Sequence, residues 1–117
     1  MRVYGLSNCD TVKRARAWLA GRGVVHDFHD FKKLGLPSAR LDAWIAAVGW
    51  QPLLNRQGTT WRKLESATQA NVVDAASARA LMLAQNSVVK RPVVEWDDGR
   101  ITVGFDAERW AASVDRQ

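Results

Sequence analysis

Hydrophobic and polar positions change their period several times along the 117-residue chain, and each change marks an element. Residues 2–6 form a short segment rich in apolar and aromatic residues, as a buried strand would be. From about Asp10 to Gly21, Val12, Ala15, Trp18 and Leu19 recur at spacings of three and four, while Lys13, Arg14 and Arg16 mostly point elsewhere. That spacing predicts an amphipathic helix, and Gly21 and Gly23 supply its stop. Residues 24–31 mix branched side chains with alternating polar and aromatic ones and read as a second strand. Two strands joined by a helix-length crossover imply a parallel pair.

The middle of the chain is helical in character. Leu41, Trp44, Ile45 and Val48 fall at i, i+3, i+4 and i+7, which predicts a helix from near Ser38 to Gly49. Residues 50–63 keep no sustained period and read as an ordered loop with room for one short helix. Residues 68–73 suggest another short helix, and Asp74 can cap one over residues 75–85. Strands return with Val88-Val89 and then residues 93–96; residues 97–100 make a turn, and residues 101–103 pair back as a hairpin. Asp106 can cap a last helix carrying Ala107, Trp110, Ala111 and Val114. The order is β-α-β, a helical middle, then β-β-α, with no repeat or linker to mark a domain boundary.

Composition narrows the classes. At this length, with 47% hydrophobic residues, one domain with one core is expected. No signal-peptide core and no run of about 18 apolar residues is present, so the cytoplasm is the expected location and no membrane partner is expected. One cysteine makes no internal disulfide, and His26 and His29 are too few for a zinc set, so no metal is expected. His26 and His29 read as strand-surface residues. The net charge of +5 is scattered over short basic clusters, without the aromatic interleaving of an RNA-binding sheet or a zinc-finger or basic-zipper pattern. Nucleic acid is therefore not the expected partner.

Cys9 stands between the first strand and the first helix. Delivered to a helix's first turn, a sulfur meets unpaired backbone N–H groups and the positive end of the helix dipole, which favour thiolate. The alternative is a buried, inert cysteine. Ser7, Asn8, Asp10 and Thr11 make a polar collar unlike an apolar core site, which favours the reactive reading.

A cysteine opening the first helix of a β-α-β then β-β-α chain is the layout of the thioredoxin fold, with a helical insertion over about residues 37–86. Residues 4–15 (YGLSNCDTVKRA), residues 54–64 (LNRQGTTWRKL) and Val89-Lys90-Arg91-Pro92-Val93 together resemble the arsenate reductase (ArsC)/Spx family, and within it the YffB-like branch. The resemblance implies a thioredoxin-like α/β fold with a mixed sheet and Cys9 as nucleophile. Arg56 resembles the oxyanion-binding arginine of the family's Asn-x-Arg-Gly-Thr segment. Arg91 resembles the arginine directly before a proline that such folds keep cis, so Pro92 is expected to follow a cis bond. Arsenate-reducing members carry a further arginine near a Gly-Arg-Pro stretch after the hairpin; here that stretch reads Gly104-Phe105-Asp106, which counts against arsenate as substrate.

The thiol chemistry can be weighed independently. Lowering a cysteine pKa from about 8.5 to about 6 raises the thiolate fraction at pH 7 about thirtyfold. The lost nucleophilicity takes back about 10- to 18-fold, leaving a net gain of only about two- to threefold. Cations must therefore also bind the substrate or stabilise developing charge, and a guanidinium suits that role. With no Cys-x-x-Cys, an external thiol must finish the cycle. Glutathione is the expected co-substrate, with Lys13, Arg56 and Arg91 holding its carboxylates and glutaredoxin as an added partner. The enzyme reading is a glutathione-dependent thiol–disulfide reductase, with arsenate reductase as the alternative. A regulatory alternative follows from Spx members, which bind RNA polymerase; they commonly carry a Cys-x-x-Cys switch, and Val12 occupies its second position here. Lys13 could equally be a solvated helix lysine. Trp18, Trp44, Trp96 and Trp110 read as core, and Trp50 and Trp61 as packing of the insertion or a wall of the site.

Overall fold

A computed structural model describes residues 1–115. The chain forms two compact units, one made of Met1–Leu34 with the chain from Arg91 onward, the other of Gly35–Lys90.

The first unit contains β1 (Arg2–Gly5), α1 (Asp10–Gly21), β2 (Asp27–Asp30), α2 (Phe31–Leu34), and later β3, β4 and the last helix. Its sheet has the order β2-β1-β3-β4, where β3 is Val93–Glu95 and β4 is Ile101–Val103. β1 runs parallel to β2 and antiparallel to β3, and β3 pairs antiparallel with β4. Register sets one face: Phe28, Val3, Val94 and Thr102 lie in a row across the four strands. Val3 and Val94 share a core with Ala15 and Leu19 of α1 and with Trp96 and Trp110. Trp110 is the hub, with Phe105, Trp96 and Trp18 edge-on to it at centroid distances of 4.8, 5.4 and 6.0 Å. Edge-to-face stacking favours such a cluster beyond its burial alone. The Trp96 indole N–H also has an acceptor, donating to the Thr102 hydroxyl at 2.9 Å. On the opposite face Tyr4 is 1% exposed and donates to a Glu95 carboxylate oxygen at 2.7 Å.

The second unit is mostly helical: α3 (Ser38–Val48), α4 (Thr59–Arg62), α5 (Ser66–Ala70) and α6 (Ala75–Ala84), followed by a 3-10 turn, Asn86–Val88. Leu41 and Trp44 of α3 and Ala78, Leu81 and Met82 of α6 are buried. Arg79 of α6 pairs with Asp42 of α3 at 2.6 Å. Asp74 caps α6 as predicted, accepting from the Ser77 N–H at 2.9 Å in a reciprocal capping box. The seventh helix, α7 (Ala107–Asp115), returns to the first unit and is capped by Asp106, which accepts from the Arg109 N–H at 3.0 Å.

Three elements depart from the sequence reading. The second strand covers only Asp27–Asp30 because its partner β1 offers four residues; Val25 lies outside it and is 90% exposed. The Asp30 carboxylate takes the Lys32 N–H at 3.0 Å, turning the chain into α2. Val88-Val89 does not form a sheet strand: Val88 ends the 3-10 turn and Val89 makes an isolated antiparallel bridge to Leu54. The helix expected over residues 68–73 is shifted to Ser66–Ala70, and the Val73 N–H is committed to the Ser77 hydroxyl at 3.0 Å. Trp44, Trp96 and Trp110 are buried as expected, whereas Trp18 is only partly so.

Candidate active site

Cys9 is delivered by a tight turn. After β1 the chain reverses through Ser7 and Asn8, and the Cys9 N–H closes the turn on the Leu6 carbonyl at 3.1 Å. Gly5 allows α1 to pack this close to the strand, since a Cβ there would meet Val12 Cγ2 at 2.7 Å. Cys9 is the N-cap of α1, with extended backbone (φ −83°, ψ 125°), and its carbonyl accepts the first helical bond from Lys13 N–H at 2.9 Å. Its side chain is half-buried.

Burial pushes the Cys9 thiol up, but the Val12 N–H, the Arg91 guanidinium and the Thr11 N–H together more than offset it, so the pKa is lowered. The sulfur makes no cap hydrogen bond of conventional geometry; the amides act on it as nearby donors that favour negative charge. The Arg91 guanidinium acts on the sulfur as a nearby cation that favours its charged form.

Arg91 owes its position to β3. Tyr4 is opposite Val93, so continuing that register past β3 brings Arg91 level with the residues leading to Cys9. The Arg91–Pro92 bond is cis, as the resemblance implied, and Pro92 is buried with its carbonyl accepting from Gly104 N–H at 2.8 Å. Lys13 is exposed on α1. Its backbone joins the site; its ammonium lies on the solvated side.

Arg56 belongs to the second unit. Its loop is held at one end by Leu54↔Val89 and by Asn55 N–H to Val88 carbonyl at 2.8 Å. Asn55 also accepts the Gln57 N–H at 3.2 Å, a local turn that Gly58 permits because a Cβ there would stand 2.7 Å from Asn55 Nδ2. Arg62 donates to the Gln57 carbonyl at 2.9 Å. The exposed Arg56 guanidinium is flanked by Trp50 and Trp61, with centroids at 5.7 and 5.8 Å. Both tryptophans left open by the sequence therefore attend the same cation. Arg56 also stands one residue earlier than the arginine in Asn-x-Arg-Gly-Thr; Gln57 holds the place directly before Gly58.

His26 lies before β2, where its Nε2 accepts from Arg16 Nε–H at 3.3 Å, and His29 packs its ring 5.1 Å from that of Tyr4. The residue that periodicity missed is Asp30, a buried carboxylate at the end of β2. Its signal was a charge placed directly before a buried phenylalanine. Among the described residues no group of three or more His, Cys, Asp and Glu side chains is arranged to hold a metal ion, and no helix is long and apolar enough to cross a membrane.

The mixed sheet, the cysteine at the first helix's N-cap and the arginine before a cis-proline define a thioredoxin-like domain. Residues 4–113 match the ArsC family. The solved YffB protein is 49% identical, with 96% of each chain covered and a TM-score of 0.89. An arsenate reductase (ArsC) related protein from Brucella melitensis is 53% identical over 95% of this chain and 91% of its own, with a TM-score of 0.75. An uncharacterized protein of Haemophilus influenzae is 35% identical over 111 residues, covering 95% of this chain and 96% of its own. The chain belongs to the ArsC family.

Proposed function

We propose that this arsenate reductase-like ArsC protein is a glutathione-dependent thiol–disulfide reductase in which Cys9 is the sole nucleophile. The observation that carries the reading is the sulfur's environment: a helix N-terminus and the Arg91 guanidinium together lower the thiol pKa despite half burial. The oxidoreductase class follows from the family; the glutathione dependence is our reading of a lone cysteine beside cations.

The cycle balances with two thiols. The Cys9 thiolate attacks the glutathione sulfur of a mixed disulfide, the S–S bond breaks, and the substrate leaves as thiolate and takes a proton. Cys9 is then joined to glutathione. A second glutathione thiolate attacks the glutathione sulfur of that bond, yielding oxidised glutathione and the Cys9 thiolate. Arg91 stabilises the charge returned to sulfur in each step, and Arg91 with Pro92 forms one wall for the bound glutathione. Lys13 supplies a solvated cation for a glutathione carboxylate. Arg56, in the second unit, is kept as a candidate anion-binding cation, its guanidinium flanked by Trp50 and Trp61. Arsenate reduction is the second reading, favoured by the description of the Brucella melitensis relative. Glutaredoxin is a candidate second-step thiol, and the cytoplasm, rich in glutathione, is the compartment this cycle suits.

The test is to incubate the protein with oxidised glutathione, measure its intact mass, and follow glutathione-coupled reduction of a small mixed disulfide. One glutathione on Cys9 and turnover abolished by Cys9→Ser are the expected results. No adduct and no turnover, with a stable RNA polymerase complex recovered instead, would replace the enzyme reading with the regulatory one.

A further inference from the structure

The buried face of α1 is taken by Val12, Ala15 and Leu19. A second stripe runs from near Cys9 to the helix C-cap: Arg14, Trp18 and Arg22 stand four residues apart, the spacing that sets side chains one above another on one face. Arg14 and Arg22 are exposed and Trp18 partly so. The Arg22 guanidinium is held over the Trp18 ring at 4.3 Å, and Phe105 packs edge-on to the same ring at 6.2 Å. Arg14 donates only to the Thr11 hydroxyl, at 3.5 Å. Among the described residues no carboxylate pairs with either arginine, whereas Arg79 and Arg100 each hold one, on Asp42 at 2.6 Å and on Asp98 at 2.7 Å. Two positive charges thus stand unneutralised on either side of an indole, on the helix whose N-cap is the thiol.

We propose that this stripe docks an acidic segment of a protein substrate, so that Cys9 acts on glutathione mixed disulfides carried by acidic protein surfaces; the inference rests on the reductase reading above. At a rise of about 1.5 Å per residue, Arg22 lies roughly 20 Å along α1 from Cys9. Glutathione, three residues long, spans only about 10 Å at full extension, so with its sulfur at Cys9 it does not reach Arg22. A protein segment does. Arg14 and Arg22 are roughly 12 Å apart along the axis, and carboxylates four residues apart on an extended chain are separated by about 13 Å. Guanidinium forks match carboxylates, and the indole between them offers the segment an apolar contact. Opposite charge also raises the rate at which such a partner meets the helix that carries the thiol. The bond chemistry is unchanged: the Cys9 thiolate attacks the glutathione sulfur, the S–S bond breaks, and glutathione stays on Cys9. The protein thiolate leaves and takes a proton.

The test uses short peptides that carry glutathione on a single cysteine, beside which a pair of residues four apart is glutamate, glutamine or lysine. Release of the peptide thiol by the full-length protein in a single turnover gives a second-order rate constant for each. At about 20 mM salt the glutamate peptide should react roughly tenfold faster than the glutamine peptide, and the lysine peptide slower than both. At about 0.5 M salt the three should fall within about twofold of one another. The double variant Arg14→Gln, Arg22→Gln should lose the preference yet react with oxidised glutathione within about twofold of the wild-type rate. Lys33→Gln with Lys63→Gln removes the same charge from exposed positions outside α1 and should keep the preference. Equal loss in both double variants would assign the effect to net charge and overturn the proposal. So would a DNA duplex that binds more tightly than the glutamate peptide and is released by the Arg14 and Arg22 changes, which would give the stripe to nucleic acid. A wild-type protein that reacts with oxidised glutathione but shows no preference among the peptides sinks the docking stripe alone. One that reacts with no disulfide at all removes the reductase reading and the stripe together.

Discussion

At the start of α6, the Asp74 carboxylate accepts the Ser77 N–H at 2.9 Å while the Ser77 hydroxyl takes the Asp74 N–H at 3.1 Å. At the start of α1 the same N-cap position carries Cys9, whose side chain makes no such closed pair. The first helix end is satisfied from within and serves stability. The second leaves its N–H groups available to a sulfur that becomes more acidic in their presence, with Arg91 adding charge from the segment before β3. Forgoing a good cap is a local cost that chain folding elsewhere must cover. Two helices of similar length thus teach one rule: an N-terminus filled by a carboxylate is a structural device, and one left to a thiol is a chemical device.

The comparison can be broken most sharply at Cys9. Cys9→Ser installs a better N-cap and removes the nucleophile, so turnover should fall by more than about a hundredfold while the thermal midpoint holds or rises. A serine variant that keeps substantial turnover would contradict Cys9 as nucleophile. Arg91→Ala leaves the cap position intact and removes its cation; kcat/KM should fall by about 10- to 100-fold, checked by steady-state kinetics with the mixed disulfide.

Asp74→Ala tests the other helix. It should lower the thermal midpoint by a few degrees and leave Cys9 alkylation untouched. The pH sign also follows. The Ser77 backbone and hydroxyl bonds hold Asp74 below its ordinary 3.8, so its contribution is present in full above that value and is lost as pH falls through the lower folded pKa. Melting curves from pH 6 downward should therefore converge for wild type and Asp74→Ala in strong acid. The smallest effect belongs to Lys13→Ala. Its ammonium is solvated, so the thiol midpoint should not move and KM for glutathione should rise about twofold.

What the sequence revealed follows from how local each feature is. α1 was legible from Val12, Ala15 and Leu19, and α6 from Asp74, because apolar spacing and caps act within one or two turns. The shortness of β2 was not, since it depends on the four residues β1 offers. Neither was the fate of Val88-Val89, decided by a bridge to Leu54. At the site, Cys9 could be read from its place between strand and helix. Arg91 and its cis bond could not be read from spacing and entered only through resemblance, because antiparallel pairing of β1 with β3 brings that arginine to the cysteine. Asp30 escaped notice because a strand-end aspartate looks like any solvated turn residue until the chain covers it.

The central claim is that Cys9 is a thiolate-forming nucleophile made so by a helix end and by Arg91. Its most direct measurement is the pH dependence of the Cys9 thiolate, read by ultraviolet absorbance in wild type and Arg91→Ala. The account predicts a wild-type midpoint below that of a free cysteine and an upward shift when the guanidinium is removed. An ordinary midpoint in both proteins would contradict it.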